Sequence, residues 1–249
     1  MTRLALVGVA IGCLGGASAS AAEIEMFSAG AVAPGLARLI ETFRRETGHQ
    51  VRLTVAVPAV LRQRVEAGET PDVLIAPPAV VEPLVQAGKI VADTPPAVGR
   101  VGVGVTVRQD APAPDVSSAA ALRDALLAAD RLVYNRASTG TYFERVVTRL
   151  GIGEQVAAKT VRYPDGTSVL EHVAKGTGRE IGIGAISEIR EYEAKGLRLV
   201  GPLPAELQNY TTYVAGVLTG SRSPEAARAL VRFVTSPPAK AAFAATGVE

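Results

Sequence analysis

Between residues 23 and 88 the chain alternates three times between a short apolar stretch and a helical pattern, and a glycine follows each helical pattern. Glu23–Ser28 reads as a first strand. Ala33–Thr47 places Leu36, Leu39, Ile40 and Phe43 at i, i+3, i+4 and i+7, the spacing of one buried helix face, and Gly48 stops it. Val51–Val57 alternates as a second strand, and Val60–Ala67 is a short helix before Gly68. Asp72–Ala76 is a continuous apolar run, as in a parallel strand buried on both faces. Val80–Ala87 is a helix before Gly88. A βαβαβα series of this kind predicts a parallel sheet with helices on both sides.

Val98–Arg108 (VGRVGVGVTVR) breaks the alternation. It is long and strand-like, with no helix before the next segment, and so reads as a chain crossing from one lobe to another. A second unit follows, with helices at Ala119–Ala129, Thr141–Leu150 and Ser168–Lys175 and strands at Arg131–Tyr134, Thr160–Tyr163 and Glu180–Ala185. Leu197–Pro204 and Thr211–Leu218 are further strands. Pro224–Thr235 is a helix with proline in its first turn. Two α/β units joined by two extended crossings predict two lobes with a cleft between them, hinged near Gly99–Val103 and Gly201–Pro204.

The start of the chain has a different character. Met1-Thr2-Arg3 is basic, Leu4–Gly16 is apolar but shorter than the ~20 residues of a membrane span, and Ala17–Ala22 is a run of small residues. This is the pattern of a secretory leader cleaved near Ala22. Cys13, the sole cysteine, is either discarded with the leader or, less in keeping with the Ala-Ser-Ala exit, a lipid-attachment point. Cleavage leaves about 227 residues, ample for two cores. It also leaves no cysteine for disulfides, thiol nucleophiles or metal ligation. Loss of Arg3 from 26 basic residues against 24 acidic ones leaves a net charge near +1, so no broad field draws the chain to nucleic acid or an anionic membrane. Aromatic residues are only 4%, and the two histidines, His49 and His172, belong to no metal-ligand pattern. No cofactor or metal is expected.

Ligands of open α/β sheets sit beyond the carboxyl ends of strands, where helix N-termini present unpaired amides. Four segments fit. Ser28-Ala29-Gly30 follows the first strand and, taken on its own, reads first as a plain helix cap. Pro58, Ala59 and Arg62 follow the second, and Arg62 can clamp a carboxylate or simply sit on a solvated helix face. Arg136-Ala137-Ser138-Thr139-Gly140-Thr141-Tyr142 combines hydroxyls, a glycine and a phenol at a strand end, and reads as an anion cradle. Ala185 and Ser187 follow the apolar strand Glu180–Ala185. There is no G-x-S-x-G, H-E-x-x-H or phosphate-loop lysine motif.

Beyond these loops, Phe43-Arg44-Arg45-Glu46-Thr47-Gly48, Glu66-Ala67-Gly68-Glu69-Thr70-Pro71-Asp72-Val73, Leu84-Val85-Gln86-Ala87-Gly88-Lys89-Ile90 and Ser223-Pro224-Glu225-Ala226-Ala227 occur in order and at characteristic spacing. With them the chain resembles the type II periplasmic solute-binding proteins of ABC transporters, above all the molybdate-binding branch, across Glu23–Glu249. The resemblance implies an α/β, two-lobed type II fold in which each lobe is a mostly parallel sheet flanked by helices. It places a leader at 1–22, one lobe at 23–100 plus 205–249, and the other at 101–204. It further implies a periplasmic monomer that captures a small anion in the cleft for a membrane permease. Ser28 corresponds to the family's first-loop serine and Ser138–Tyr142 to its second-lobe ligand loop. Pro58-Ala59 stands where the family has a Ser-Gly pair, and Ile186-Ser187 where it often has a tyrosine, so two hydroxyl donors are missing.

A narrower resemblance, carried by Val107–Ser117, Ala137–Tyr142 and Ser223–Leu230, is to the periplasmic aconitate isomerases. It implies a di- or tricarboxylate ligand and an alternative, enzymatic role in which a base moves a proton across an allylic system. Tyr142, Glu144 and His172 are the titratable candidates. A third possibility is a sensor subunit that docks on a receptor.

Overall fold

The computed structural model describes residues 21–91 and 95–249. The basic and apolar parts of the expected leader, with Cys13, lie outside the described residues. The first unit runs β1 (Glu23–Ser28), α1 (Ala33–Thr47), β2 (Gln50–Val55), α2 (Pro58–Glu66), β3 (Val73–Ala76) and α3 (Pro78–Gln86). The long β4 (Ala97–Arg108) leads into α4 (Ala119–Ala128), β5 (Arg131–Asn135), α5 (Ser138–Arg149), α6 (Gly153–Ala157), β6 (Thr160–Tyr163), α7 (Gly166–Lys175), β7 (Glu180–Ala185) and α8 (Ile186–Tyr192). β8 (Leu197–Pro202), β9 (Tyr210–Val217), α9 (Pro224–Val234) and α10 (Pro237–Ala244) complete the chain.

The strands form the order β2-β1-β3-β9-β4-β7-β5-β6, with β8 also on β4. β2, β1 and β3 are mutually parallel, as are β6, β5 and β7, while β9 and β4 join antiparallel to their neighbours. The parallel arms are the βαβ units read from the sequence, and the antiparallel β4 is the run read as the first crossing. β4 is the shared element. Its first half, Ala97–Gly102, pairs with β9, and its second half, Val103–Arg108, pairs with β7 and β8. Twelve residues of one strand thus serve two lobes.

Each arm is covered on both faces. Ile24 and Met26 of β1, with Val73 and Ile75 of β3, pack under α1, α9 and α10 beside Leu36, Phe43, Leu230 and Phe243. Phe27, Leu74 and Ala76 face the other way, onto Leu61 and Val65 of α2 and Val81 and Leu84 of α3. In the second arm Leu132 and Tyr134 of β5 meet Leu122, Leu126 and Phe143, and Val133 meets Val169, Leu170 and Ile189. Asp72, just before β3, is buried and satisfies four donors. These are Glu25 N (2.8 Å), Ser221 Oγ (2.6 Å), Arg222 N (2.9 Å) and Ser223 N (3.1 Å), so one carboxylate ties β1 to the approach to α9.

α1 has the expected bounds, and Gly48 closes it in the left-handed region (φ 76°) that favours glycine. Elsewhere the structure departs from the pattern reading. α5 begins at Ser138, so Ser138–Gly140 is a helical turn rather than a loop. α6 spans five residues, too few for periodicity to register. α10 begins with two prolines, which read as a break but are tolerated in a first turn, and Ser236 Oγ accepts from Ala239 N to cap it.

Candidate ligand cleft

A cavity of about 520 Å³ opens where segments of both arms meet. Its first wall comes from Ala29, Gly30 and Ala31 after β1 and from Val55–Pro58 and Val60 between β2 and α2. This wall is apolar, and Val55 and Val60 are exposed large hydrophobic side chains. α2 begins on a proline, so its first residue has no N–H to offer a ligand.

The second wall is polar. Asn135, Ala137, Ser138 and Thr139 come from the β5–α5 junction, and Pro164–Ser168 from the β6–α7 junction. Asn135 caps α5 from behind: its Oδ1 accepts from Ala137 N and Gly140 N, both at 3.0 Å. The Ser138 and Thr139 amides, in the first turn, have no helical acceptor and line the cavity. Asp165 caps α7 by accepting from Ser168 N (2.8 Å) and Ser168 Oγ (3.2 Å), which leaves the Gly166 and Thr167 amides toward the cavity. Two helix N-termini therefore converge on one side of the space. No lysine or arginine is among the lining residues.

Glu188, on the first turn of α8, and Tyr213 of β9 complete the lining. The Glu188 carboxylate occupies the space that side chains at Gly30 and Gly166 would need, and a Cβ on Gly166 would lie 2.5 Å from Oε2. Burial, the neighbouring Asp165 charge and then the Glu191 charge push its carboxyl up to about 7. Burial and then the Glu188 charge also hold the Tyr213 phenol well above its ordinary range, with Ser138 opposing them.

The residues singled out in the sequence divide between the cleft and its surroundings. Ala29, Gly30, Pro58, Ser138 and Thr139 line the cavity. Ser28 lies fully buried beneath it, and its Oγ donates to Ala29 O (3.1 Å). Gly140 is a packing residue: a Cβ there would overlap the Asn135 carbonyl, and its amide is already committed to Asn135 Oδ1. Thr141 N donates to Ala137 O. Tyr142 turns away and donates to Leu207 O (2.8 Å). Arg62 pairs with Glu66 (3.3 Å) on an exposed helix face, Ala59 is exposed beside it, and Arg136 is exposed outside the lining. Ala185 is buried in the first arm's core. Ser187 is buried and donates to Ala31 O, so α8 is tied to the first arm. Of the other titratable candidates, Glu144 pairs with Arg162, and His172 Nδ1 lies 2.9 Å from Tyr163 Oη. Neither lines the cavity.

A family model described as bacterial extracellular solute-binding protein matches residues 24–249. The chain belongs to that family. Among solved structures this solute-binding protein is similar to the periplasmic molybdate-binding protein of Azotobacter vinelandii, with a TM-score of 0.77 and 17% identity over 91% of this chain and 98% of that one. It is also similar to the sulfate-binding protein of Mycobacterium tuberculosis, with a TM-score of 0.71 and 19% identity over 91% of this chain and 86% of that one. These likenesses establish the type II binding-protein fold. In sequence it is 26% identical to an aconitate isomerase from a Pseudomonas species over 232 residues, 91% of this chain and 87% of that protein. Among its described residues no helix is long and apolar enough to cross a membrane.

Sequence reasoning passed over Asn135, Val55, Ala56, the Asp165–Ser168 turn, Glu188 and Tyr213 of this solute-binding protein. The Asp165-Gly166-Thr167-Ser168 run carried a usable signal, since an Asx cap opening a glycine-led helix after a strand is the pattern already recognised at Ser138. Glu188 carried none, because its burial is created by Gly30 and Gly166, 158 and 22 positions away.

Proposed function

We propose that the protein works outside the cytoplasm, released by cleavage of its leader, and captures a small organic carboxylate for delivery to a membrane permease. The lobes are assigned as 23–100 with 205–249, and 101–204. They hinge where β4 passes from Gly102, opposite Tyr210, to Val103, opposite Ala185. Ligand that touches both walls favours the closed form and shifts the population toward it. The site lies within one chain, which suits a monomer.

One observation carries the choice of ligand: the cleft is amphipathic. Amides and hydroxyls of Ser138, Thr139, Gly166 and Thr167 suit a carboxylate, and the Val55–Val60 wall suits a carbon skeleton. An inorganic dianion would leave that wall without a partner. A thermal-shift panel tests the reading, since ligand that binds only the folded form raises the melting temperature. Small di- and tricarboxylates should stabilise the protein, while molybdate, tungstate, sulfate and phosphate should not. Stabilisation by the inorganic oxyanions alone would overturn it.

A second reading is enzymatic. The likeness to an aconitate isomerase, together with a carboxyl group inside the cleft, favours Glu188 as a base that takes a proton from one carbon of an allylic carboxylate and returns it to another. Incubation with cis- or trans-aconitate, followed by separation of the products, decides it. Interconversion establishes the enzyme, and unchanged substrate leaves the binding role.

A further inference from the structure

We infer that ligand capture in this cleft is proton-linked: the anion enters with one proton, which Glu188 holds and donates to it as a hydrogen bond. The inference rests on the reading of the cavity as a carboxylate site.

The arrangement of groups around Glu188 leads there. Its carboxylate stands between Gly30 of the first lobe and Gly166 of the second, the position that a ligand bridging the lobes must share. Among the described residues no hydrogen bond or ion pair acts on it, only burial and like charge. The charged groups that bear on it are Asp165, from the β6–α7 junction, and Glu191, on α8 itself. β9 contributes the Tyr213 phenol. The β1–α1, β2–α2 and β5–α5 junctions line the cavity with no titratable side chain at all.

An incoming carboxylate therefore finds amide donors on one side and an unpaired acid in the middle. If Glu188 stayed ionised, two anions would face each other in a poorly solvated space, with Asp165 and Glu191 close by and no cation between them. A protonated Glu188 reverses the contact, because a neutral carboxyl is a donor to a carboxylate. Its titration near neutrality means that the proton is available at low cost at pH 6 and scarce at pH 8. Ligand and proton then favour each other reciprocally. α8 is well placed for such a role, since the adjacent Ser187 hydroxyl already fastens it to Ala31 of the first lobe.

The direction of the pH effect separates this mechanism from its rivals. A proton-linked carboxylate binds more weakly as pH rises through 7. A ligand carrying an ammonium group aimed at Glu188 would bind more tightly. A base catalyst would turn over faster.

Calorimetry on the mature protein with trans-aconitate and, separately, tricarballylate between pH 5.5 and 8.5, in two buffers of different ionisation enthalpy, tests the inference. Near pH 8 the expected result is uptake of about one proton per ligand bound, with affinity falling roughly tenfold per pH unit above 7. Glu188→Gln keeps a neutral donor in place, so its affinity should stay near the wild-type low-pH value across the range. Affinity that is flat or rising with pH in the wild type, or a proton count near zero, overturns the inference, and the wild type alone decides this. Retention of the wild-type slope by Glu188→Gln overturns the assignment to that residue. Failure of both carboxylates to bind at any pH sinks the carboxylate reading and the inference together, whereas pH-independent binding sinks only the inference.

Discussion

Replacing Glu188 with glutamine should stabilise the ligand-free protein at pH 8, although the residue sits in the cleft. The carboxyl is displaced from the ordinary 4.5 to about 7, which is about two and a half tenfold steps in proton affinity. At about 1.4 kcal/mol per step this corresponds to at most about 3 kcal/mol, since Glu188 is half-buried and solvent reaches the cleft it lines. The sign follows from linkage. The unfolded chain releases the Glu188 proton near 4.5 and the folded chain holds it until about 7, so folding stability drains away between those two pH values and stays low above them. Glutamine has no proton to lose and removes that loss. Its amide has no assigned partner and costs about 1 kcal/mol in return, so a net gain of about 2 kcal/mol is expected at pH 8. For a chain of this size that is a rise of roughly 4–8 °C in melting temperature. At pH 4.5 the gain should vanish. Urea denaturation of both proteins at pH 4.5, 6 and 8 measures it. A Glu188→Gln variant no more stable than wild type at pH 8, or equally shifted at all three values, would refute the account of a half-buried, unpaired carboxyl.

Other substitutions separate binding from scaffolding. Ser138→Ala should weaken carboxylate binding several-fold by calorimetry while Ser28→Ala leaves it unchanged, because only the former hydroxyl lines the cavity. Gly140→Ala forces a methyl into the Asn135 carbonyl and should cost about 3 kcal/mol or more in urea denaturation. Asp72→Ala leaves four donors without their acceptor and should cost about 3 kcal/mol by the same assay, with ligand affinity retained in the folded fraction. Tyr142→Phe should lose about 1 kcal/mol of stability with the bond to Leu207 O, and no affinity.

Much of the scaffold was legible because it is written in local pattern. The spacing from Leu36 to Phe43 and the glycine after it define α1, and the unbroken apolar run before Ala76 marks a strand covered on both faces. The Val98–Arg108 run, with no helix before the next segment, pointed to β4 as a crossing, and its two halves pair with different strands. The site was only half legible. Ser138 and Thr139 declared themselves by hydroxyls at a strand end, but the same rule drew in Tyr142, whose phenol is used in packing against the residues after β8. A helix begins at Ser138 because Asn135 reaches forward to cap it, and a side chain three positions upstream of a Ser-Thr-Gly run is easily read as the end of a strand. Whether the arginines face the cleft was open in the sequence for a general reason. A guanidinium is the commonest carboxylate clamp, yet Arg62 is answered by Glu66 one turn on. Glu188 is the instructive omission. Nothing near it in the chain marks it, and its chemistry comes from two glycines, Gly30 and Gly166, that leave room for it.

The central claim is that the amides opening α5 and α7 grip a carboxylate. Backbone amide shifts during an NMR titration with trans-aconitate at pH 6 test this most directly. Ser138, Thr139, Gly166 and Thr167 should move together and saturate at one affinity. If they stay fixed while the residues around the larger neighbouring groove of about 900 Å³ move, at Ala33, Arg38 and Arg190, the ligand binds elsewhere and the account is wrong.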